Sequence, residues 1–416
     1  MVVATRGTTV GIPWAAYFGD TTMELTFPAD WQVKVYPSRD GEDIGEAGIA
    51  AAFASPIGSG RIVDIARGKR TAVIVVDDLS RPTPAERLVP RILAELEAGG
   101  ITRDRVTIIC GVANHRQMQR EDFVKKLGEE VVRMVRVINH FSWDRCEYVG
   151  TTTHGTPISL NKDFLAGDVK ILVGGLFPHG TPGFGGGAKL VVPGVASIET
   201  CHAMHGPGGP ATGFAVEASA ARLDMEEAAR MAGVDVIVNS IPTSRRGIAG
   251  LVVGDVVEAH RAGVRMARQV FATKIPREPA DIGVFSAYPK DSEYLQVGMA
   301  FNLWRSAPRP LVADSGSIVV CTAASEGAGF HSLIGPGRKI EASGGFPASL
   351  FAPREVVVFS TGVSAWDLTP AARDGLTVAQ DWEAVIGRLR ERHGAGARVA
   401  VFPWSAIQLA DGDADE

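Results

Sequence analysis

A chain of 416 residues is longer than one hydrophobic core usually supports, so we expect two domains. With 45% hydrophobic and 21% charged residues, the composition is typical of a folded globular protein and excludes a disordered chain. The formal net charge of −5 gives no electrostatic reason to expect nucleic acid or an anionic membrane surface as a partner.

Cysteine usage and the distribution of apolar residues indicate the compartment. The four cysteines contain no CxxC pair, which disfavours both a disulfide framework and a zinc ribbon. The first residues lack a long apolar leader, and no apolar run approaches the ~20 residues that a membrane helix needs. We therefore expect a soluble cytoplasmic protein without a membrane partner.

Short β-branched runs in the first two-thirds of the chain are apolar at consecutive positions, which predicts strands buried on both faces. These runs are Ala72–Val76, Val106–Cys110, Lys170–Val173 and Val234–Val238. Between the first two we predict a helix with Thr83 as its N-cap, Pro84 as its first residue and Glu86 completing a capping box. Strand, helix and strand in succession form a βαβ unit, so the sheet is expected to be largely parallel.

A second series of buried strands follows the charged, proline-bearing stretch Lys274–Pro279, which itself follows a helical pattern from about Asp255 to Thr273. The later strands are predicted at Ile282–Ser286, Ser317–Cys321, Val356–Ser360 and Val399–Phe402. We therefore predict an α/β fold with mainly parallel sheets and an active-site cleft between two domains. The first domain would span residues 1–274 and the smaller one 280–394, with residues from about 395 to 416 packing back on the first domain.

Polar and titratable residues follow three successive strands, at the edge where open parallel sheets bind ligands. Asp78 and Arg81 follow the first strand, His115 follows the second, and His179 and Lys189 follow the third. Each residue has a structural alternative: an ion pair at the start of a helix for Asp78 and Arg81, a backbone-bonded loop histidine, or a surface lysine with a buried stem. Their coincidence at one edge favours a functional site.

The glycine-rich segment before the lysine is similar to a phosphate-binding loop only in part. Ala188 replaces the second glycine of GxxxxGK[ST], and Leu190 replaces the magnesium-binding Ser or Thr, which excludes an NTPase of that class. The backbone of Gly185–Gly187 would still suit a phosphate. A Lys189 amine withdrawn from water would lose its charge readily and become a nucleophile.

Two histidines three residues apart, His202 and His205, would lie near one face of a helix. They could form a metal pair, or one metal ligand and one capping or core histidine. Because no cysteine or carboxylate lies nearby at the usual ligand spacing, a fully protein-coordinated zinc site is underprovided. An incomplete set of imidazoles suits a metal whose other ligands come from a cofactor.

Together these motifs resemble those of the nickel-dependent lactate racemase family, the isomerases that racemise or epimerise 2-hydroxy acids. The resemblance spans nearly the whole chain. The matching segments, in family order, are Asp78–Pro82, Asn114–Arg116, His179–Lys189, His205 and, more weakly, Tyr294–Gln296.

The resemblance implies a nickel-pincer nucleotide, a pyridinium mononucleotide with two sulfur arms, attached covalently through a thioamide to Lys189. His205 would be the protein ligand of the nickel, while Asp78 and the glycines Gly185–Gly187 would contact the cofactor. A tryptophan is expected against the cofactor, with two candidates, Trp366 and Trp382. The partners implied are a small 2-hydroxy acid and the cofactor-biosynthesis proteins of the host.

The same resemblance implies reversible hydride transfer from the substrate Cα to the cofactor. His115 and His179 would be the acid and base, one for each enantiomer. Arg81 would bind the substrate carboxylate, and Gln296 would contact the substrate from the second domain. Lactate-active family members have a lysine three residues after this glutamine, where this chain has Met299. We therefore expect a 2-hydroxy acid other than lactate.

Two other functions remain open on the residues alone. A histidine-metal hydrolase would hold zinc with His115, His179 and His205 and would act with Zn²⁺ alone, without an adduct on Lys189. A non-catalytic relative would bind a hydroxy acid or a nucleotide without turning it over. The paired histidines and the reactive amine disfavour that second alternative.

Overall fold

The computed structural model describes residues 7–205, 214–341, 346 and 348–414, with the side chains of 205, 371 and 372 left aside. The strands, in chain order, are β1 (Thr8–Trp14), β2 (Thr21–Phe27), β3 (Gln32–Val35), β4 (Ala72–Val76), β5 (Val106–Cys110), β6 (Arg136–Asn139), β7 (Cys146–Thr151), β8 (Pro157–Asn161), β9 (Val169–Gly175), β10 (Pro178–His179), β11 (Gly183–Phe184), β12 (Val236–Pro242), β13 (Ile248–Gly254), β14 (Ala272–Ile275), β15 (Ala280–Ser286), β16 (Val312–Thr322), β17 (Glu355–Ser360), β18 (Leu376–Ala379), β19 (Arg398–Phe402) and β20 (Leu409–Asp413). The α-helices are α1 (Gly45–Ala54), α2 (Ile62–Ala66), α3 (Ala85–Ala98), α4 (Arg120–Leu127), α5 (Glu129–Met134), α6 (Lys162–Leu165), α7 (Ile198–His205), α8 (Ala220–Met231), α9 (Glu258–Phe271), α10 (Asn302–Ser306), α11 (Pro370–Arg373) and α12 (Trp382–His393). No helix within the described part of the chain is long and apolar enough to cross a membrane.

The chain divides into two compact units, each built from discontinuous segments. The larger unit comprises residues 41–270 and 331–340, and the smaller unit comprises residues 1–40, 271–330 and 341–416. The division near residue 270 lies close to the predicted boundary. A single boundary in the sequence does not describe the two units, however. Residues 1–40 belong to the same unit as the later strands, and residues 331–340 belong to the same unit as the earlier ones.

The larger unit contains a sheet of strand order β13-β12-β9-β4-β5-β6. Its neighbouring strands are parallel except for β13, which is antiparallel to β12. All residues of β4 are buried, as expected for a central strand covered by helices on both faces. The predicted strands at 72–76 and 106–110 have the observed bounds of β4 and β5, and the next two predicted runs overlap β9 and β12.

The smaller unit contains a parallel sheet of order β18-β17-β16-β15-β19-β3. Successive side chains of its strands pack into two different hydrophobic clusters, because strand side chains alternate between the faces of a sheet. Phe285 of β15 belongs to one cluster, and its neighbour Val284 belongs to the other. The predicted α/β class with mainly parallel sheets is therefore confirmed.

The start of α3 differs from the prediction. The helix begins at Ala85 with Pro84 at the N-cap position and no side-chain cap, so the predicted capping box is wrong. The Thr83 hydroxyl instead donates a hydrogen bond to Asp77 Oδ2 at 2.6 Å. A buried carboxylate needs hydrogen-bond donors, and the Thr83 hydroxyl is one of them. Because this hydroxyl is bonded to Asp77, it does not cap the helix.

Candidate active site

A cavity opens at the carboxyl ends of β4, β5 and β9 in the larger unit, the edge at which the sequence predicts a site. Its empty space is about 420 Å³, including the part open to solvent. Its lining residues are Asp77, Asp78, Arg81, Gly111, Val112, Ala113, His115, Phe177, Gly185, Gly186, Lys189, Leu190, Pro193 and Gly194. The structure thus brings together six predicted site residues: Asp78, Arg81, His115, Gly185, Gly186 and Lys189.

Asp78 holds the ring of His115. His115 Nδ1 lies 2.8 Å from Asp78 Oδ2, while Asp78 Oδ1 accepts hydrogen bonds from the Ser80 amide at 2.8 Å and from the Ser80 hydroxyl. Burial raises the pKa of the Asp78 carboxyl, but His115, Arg81 and Ser80 together hold it well below its usual range. The ionised carboxylate therefore accepts the Nδ1 proton of His115, which leaves Nε2 as the basic nitrogen.

The chain of hydrogen bonds continues to Arg81, whose guanidinium donates to the Ser80 hydroxyl at 2.6 Å. Arg81 is partly exposed and lines the cavity, so its charge lies beside the space that a ligand would occupy. A guanidinium in such a position suits a substrate carboxylate, which it can bind through two parallel hydrogen bonds.

A buried lysine that the sequence analysis did not single out fixes the turn after β4. Lys126 of α4 has no exposed surface, and its ammonium group lies 2.7 Å from Asp77 Oδ1. The same group donates to the carbonyl oxygens of Asp78 at 3.1 Å and Arg81 at 3.0 Å. Three oxygen partners compensate for its burial and hold the turn that carries both site residues.

Lys189 lies on a short 3₁₀ helix, Gly187–Leu190, and lines the cavity. Among the described residues, no hydrogen bond or ion pair holds its ammonium group. Burial, together with the guanidinium groups of Arg81 and Arg222, holds the pKa of Lys189 well below its usual range. Burial and the two guanidinium groups thus favour the neutral, nucleophilic form of the amine, so this position suits covalent attachment of a group.

Two positions before Lys189 require glycine, because of their backbone conformation and because neighbouring atoms leave no room for a Cβ. Gly186 has φ +69° and Gly187 has φ +56°, in the left-handed region. A Cβ at Gly186 would lie 2.8 Å from Asn239 Oδ1, and one at Gly187 would lie 2.8 Å from His260 Cδ2.

Gly187 is not among the cavity-lining residues, and its amide donates to Asn239 Oδ1 at 2.8 Å. The Gly185 amide donates to the Phe177 carbonyl at 2.8 Å. The loop is therefore held within the protein rather than forming an open row of amides.

Two buried side chains that the sequence analysis missed hold the carbonyl groups of this loop. Arg222 of α8 donates to the carbonyl oxygens of Gly186, at 3.2 Å, and of Phe184. His260 donates from Nε2 to the Gly185 carbonyl at 2.9 Å. Burial, with Arg222 next to it, holds the pKa of His260 well below its usual range, so this ring is neutral.

Replacing Arg222 with methionine is expected to destabilise the protein by about 2–5 kcal/mol, because it leaves the buried carbonyl oxygens of Gly186 and Phe184 without their charged donor. Urea unfolding measures this free energy. Arg230→Met on the same helix is the matched control: its side chain is 60% exposed, so a loss below about 1 kcal/mol is expected. Equal losses in the two variants would show that the loop does not depend on Arg222.

The other predicted histidines lie outside the group that lines the cavity. His179 is on β10, opposite Gly183 of β11, and its Nδ1 accepts a hydrogen bond from the Thr181 amide at 3.4 Å. His205 is the last residue of α7, and its side chain lies outside the described part of the structure. His202 of the same helix is exposed. The roles predicted for His179 and His205 stay predictions.

The predicted substrate residues of the smaller unit share one side of a 3₁₀ helix, Tyr294–Phe301. Gln296 and Met299 are three residues apart, which places them in line on such a helix. Both are partly exposed, whereas Val297 and Ala300 are buried. Their contact with a substrate stays a prediction, but the local geometry allows the two side chains to face one ligand.

The two candidate tryptophans have different surroundings within the smaller unit. Trp382 is 9% exposed, packs edge-on against Phe27 and Phe359, and donates from its indole nitrogen to the Thr26 carbonyl at 2.9 Å. Trp366 is 88% exposed. Because the ring of Trp382 is packed in the core, Trp366 is the candidate whose ring is accessible to a cofactor.

A third histidine, which the sequence analysis also missed, lies against His115. His331 forms an isolated antiparallel bridge with His115, and their ring centroids are 5.5 Å apart. Its Nδ1 accepts the amides of Leu333 at 3.2 Å and Ile334 at 2.9 Å, which fixes the orientation of the ring. No local signal could have found it, because it comes from the distant segment 331–340 of the same unit.

The fold and the cavity define an α/β protein with an amine and a histidine–carboxylate pair at the carboxyl end of a parallel sheet. The model of the lactate racemase N-terminal domain matches residues 18–208. The lactate racemase of Lactiplantibacillus plantarum is 30% identical over 298 residues, which is 67% of each chain. That of Thermoanaerobacterium thermosaccharolyticum is 27% identical over 289 residues, or 68% of this chain and 66% of its own. The chain belongs to the lactate racemase family.

Solved structures show the same fold. The lactate racemase apoprotein from Thermoanaerobacterium thermosaccharolyticum superposes with a TM-score of 0.75 at 22% identity, covering 97% of this chain and all of its own. The crystal structure of a protein from Thermotoga maritima superposes with a TM-score of 0.61 at 18% identity, covering 85% of this chain and 97% of its own. At these identities the likeness supports the architecture alone.

Proposed function

We propose that this protein interconverts the stereoisomers of a 2-hydroxy acid with the help of a nickel-pincer nucleotide carried by Lys189. The observation that carries the proposal is the sharing of one cavity by the Lys189 amine, the Arg81 guanidinium and the His115–Asp78 pair. Membership of the lactate racemase family supports racemase chemistry, and the two relatives named as lactate racemases support a hydroxy acid as substrate.

The residues at the attachment point fit such a group. A thioamide forms when a neutral amine attacks a thioacyl carbon and displaces the group which that carbon carries, and the lowered pKa of Lys189 makes the neutral amine available. When bound, the cofactor supplies nickel and an acceptor for hydride. His205 is the proposed nickel ligand, and Gly185 and Gly186 line the same cavity as Lys189.

The mechanism follows from what the substrate must lose. The Cα hydrogen of a 2-hydroxy acid is too weakly acidic to leave readily as a proton, and the bound cofactor would supply an acceptor for it as hydride. The hydroxyl proton must then pass to a base of the chain, so that a 2-keto acid results. His115 Nε2 takes the proton, and the ionised Asp78 stabilises the imidazolium that forms. Arg81 binds the carboxylate and keeps the keto acid in place. For inversion, His179 would give a proton to the keto oxygen as the 2-hydroxy acid re-forms, and it would act as the base when the other enantiomer is the substrate.

The substrate is proposed to be a 2-hydroxy acid with a larger or more apolar side chain than lactate. Met299 stands where lactate-active family members have a lysine, so this chain lacks that cation and offers a thioether in its place. Gln296 lies in line with Met299 on the 3₁₀ helix and supplies a polar contact beside it. Lys290, the nearby lysine in the sequence, is 1% exposed and thus lies in the interior.

The proposal is tested with chain produced together with the cofactor-biosynthesis proteins. Each enantiomer of a panel of 2-hydroxy acids is incubated with the purified protein, and the product is resolved by chiral chromatography. We expect racemisation or epimerisation of a larger 2-hydroxy acid at a higher kcat/KM than that of lactate, with one equivalent of nickel and an intact mass raised by the cofactor. An unmodified, nickel-free and inactive chain from such cells would contradict the proposal. Hydrolysis with Zn²⁺ alone would support the histidine-metal hydrolase instead.

A further inference from the structure

A second cluster of metal-ligating side chains lies in the larger unit among residues that take no part in the proposed reaction. His154 is in the turn between β7 and β8, and Asp224 and Glu227 are three residues apart on α8. One ligand atom from each of the three lies within 4.8 Å of the others. The cluster therefore joins a hairpin turn to a helix through one nitrogen and two carboxylates.

One oxygen of this cluster is buried without a hydrogen-bond partner. Asp224 is 4% exposed, and its Oδ1 has no hydrogen-bond donor among the described residues. This oxygen lies 3.9 Å from Nδ1 of His154, another member of the cluster. A buried carboxylate oxygen without a donor is costly, and a bound cation would remove that cost.

The charge of the cluster also favours a cation. Within the described part of the chain, no lysine or arginine pairs with Asp224 or Glu227. The hydrogen bonds that the Glu227 carboxylate accepts from described residues all come from Thr153, whose hydroxyl donates to it at 2.6 Å. Two nearby carboxylates and one imidazole thus form a site with net negative charge.

The carboxylates are oriented as metal ligands are in proteins. Thr156 donates its hydroxyl to Asp224 Oδ2 at 2.6 Å, and Thr153 donates both its amide, at 2.9 Å, and its hydroxyl to Glu227. Such partners fix the direction in which a ligating carboxylate faces its ion. Zinc–ligand distances of 2.0–2.2 Å place tetrahedral ligand atoms about 3.4 Å apart. The ligand atoms of the cluster lie within 4.8 Å of one another, so they must move slightly closer to reach that spacing. The His154 side chain is 43% exposed and can make this movement.

We propose that His154, Asp224 and Glu227 bind a divalent cation of the zinc class, with water completing its coordination. One imidazole and two carboxylates are ligands that Zn²⁺ accepts, and the exposed imidazole gives the ion a path from solvent. The ion ties the β7–β8 turn to α8. The same helix carries Arg222, which holds the loop before Lys189, so the cation stabilises the element that orders this loop.

Calorimetric titration of the chelator-treated full-length protein with zinc sulfate tests the site. We expect one equivalent of Zn²⁺ to bind the wild type and the thermal unfolding midpoint to rise. His154→Ala and Asp224→Asn should each weaken this binding by about tenfold or more and remove the thermal shift. Glu217→Gln is the matched control: it removes a 70% exposed carboxylate just before α8 and should leave both readouts unchanged.

Zinc bound at other histidines would appear in all four proteins alike, so the difference between them isolates this site. The proposal is overturned if the wild type shows no zinc-dependent shift, or if His154→Ala binds as many equivalents with the same affinity. His154→Ala changes a side chain in an exposed turn, so it keeps the test decisive even if Asp224→Asn fails to fold. The test does not depend on the proposed racemase activity.

Discussion

Lys189→Met protein, produced with the cofactor-biosynthesis proteins, is expected to carry no covalent cofactor and to show no racemase activity. Methionine has a similar length but no amine, so the bond that would hold the cofactor cannot form. The wild-type amine is suited to that bond because burial and two neighbouring guanidinium groups favour its neutral form. Intact-mass spectrometry measures the adduct, and chiral chromatography measures turnover.

Lys170→Met is the matched control for this variant. Burial also lowers the pKa of Lys170, but this lysine is near the start of β9, away from the cavity-lining residues, and donates to the Gly167 carbonyl at 2.7 Å. Its replacement should leave the adduct in place. An adduct that persists in Lys189→Met would locate the attachment elsewhere and remove Lys189 from the mechanism.

His115→Ala is expected to lower the racemisation rate by about 10²–10⁴-fold while the adduct on Lys189 is retained. The variant loses the base whose Nε2 takes the hydroxyl proton, and Asp78 loses the group that it orients. Initial rates from each enantiomer, measured on protein with a confirmed adduct, give the size of the loss. His393→Ala, a change in α12 of the smaller unit, should keep the wild-type rate.

Equal rates for His115→Ala and the wild type would exclude His115 as the base. The ring of His331, with its centroid 5.5 Å away, would then be the next candidate. A variant that loses the adduct as well as activity would instead indicate that His115 supports cofactor loading rather than proton transfer.

The strands and the edge that carries the cavity could be predicted because their signals are local. Runs such as Ala72–Val76 are short, β-branched and apolar at consecutive positions, which is typical of a strand covered on both faces. Once the strands are parallel, the residues that follow them meet at one edge. Asp78, His115 and Lys189 follow three of these strands and line one cavity at that edge, while their roles stay predictions.

The side chains that hold the site could not be predicted in the same way. Lys126 lies in an Arg-Glu-Asp-Phe-Val-Lys-Lys-Leu helix that resembles an exposed one, and only its tertiary partners show that it is buried. Arg222 and His260 contact the glycine-rich loop from α8 and α9, and His331 arrives from a segment far along the chain. The error at Thr83 has the same origin, since its hydroxyl is taken by Asp77 rather than by the helix end.

The position of Lys126 has a consequence for behaviour in concentrated salt. Dissolved ions screen exposed charges over a Debye length of about 8–10 Å at physiological ionic strength, but they reach a fully buried ion pair much less. The turn that carries Asp78 and Arg81 is held by such a pair, whereas Arg70 and Asp168 form one in which the arginine is 85% exposed. High salt is therefore expected to weaken the exposed Arg70–Asp168 pair more than the Lys126–Asp77 pair, so that the turn at the cavity keeps its geometry in concentrated salt.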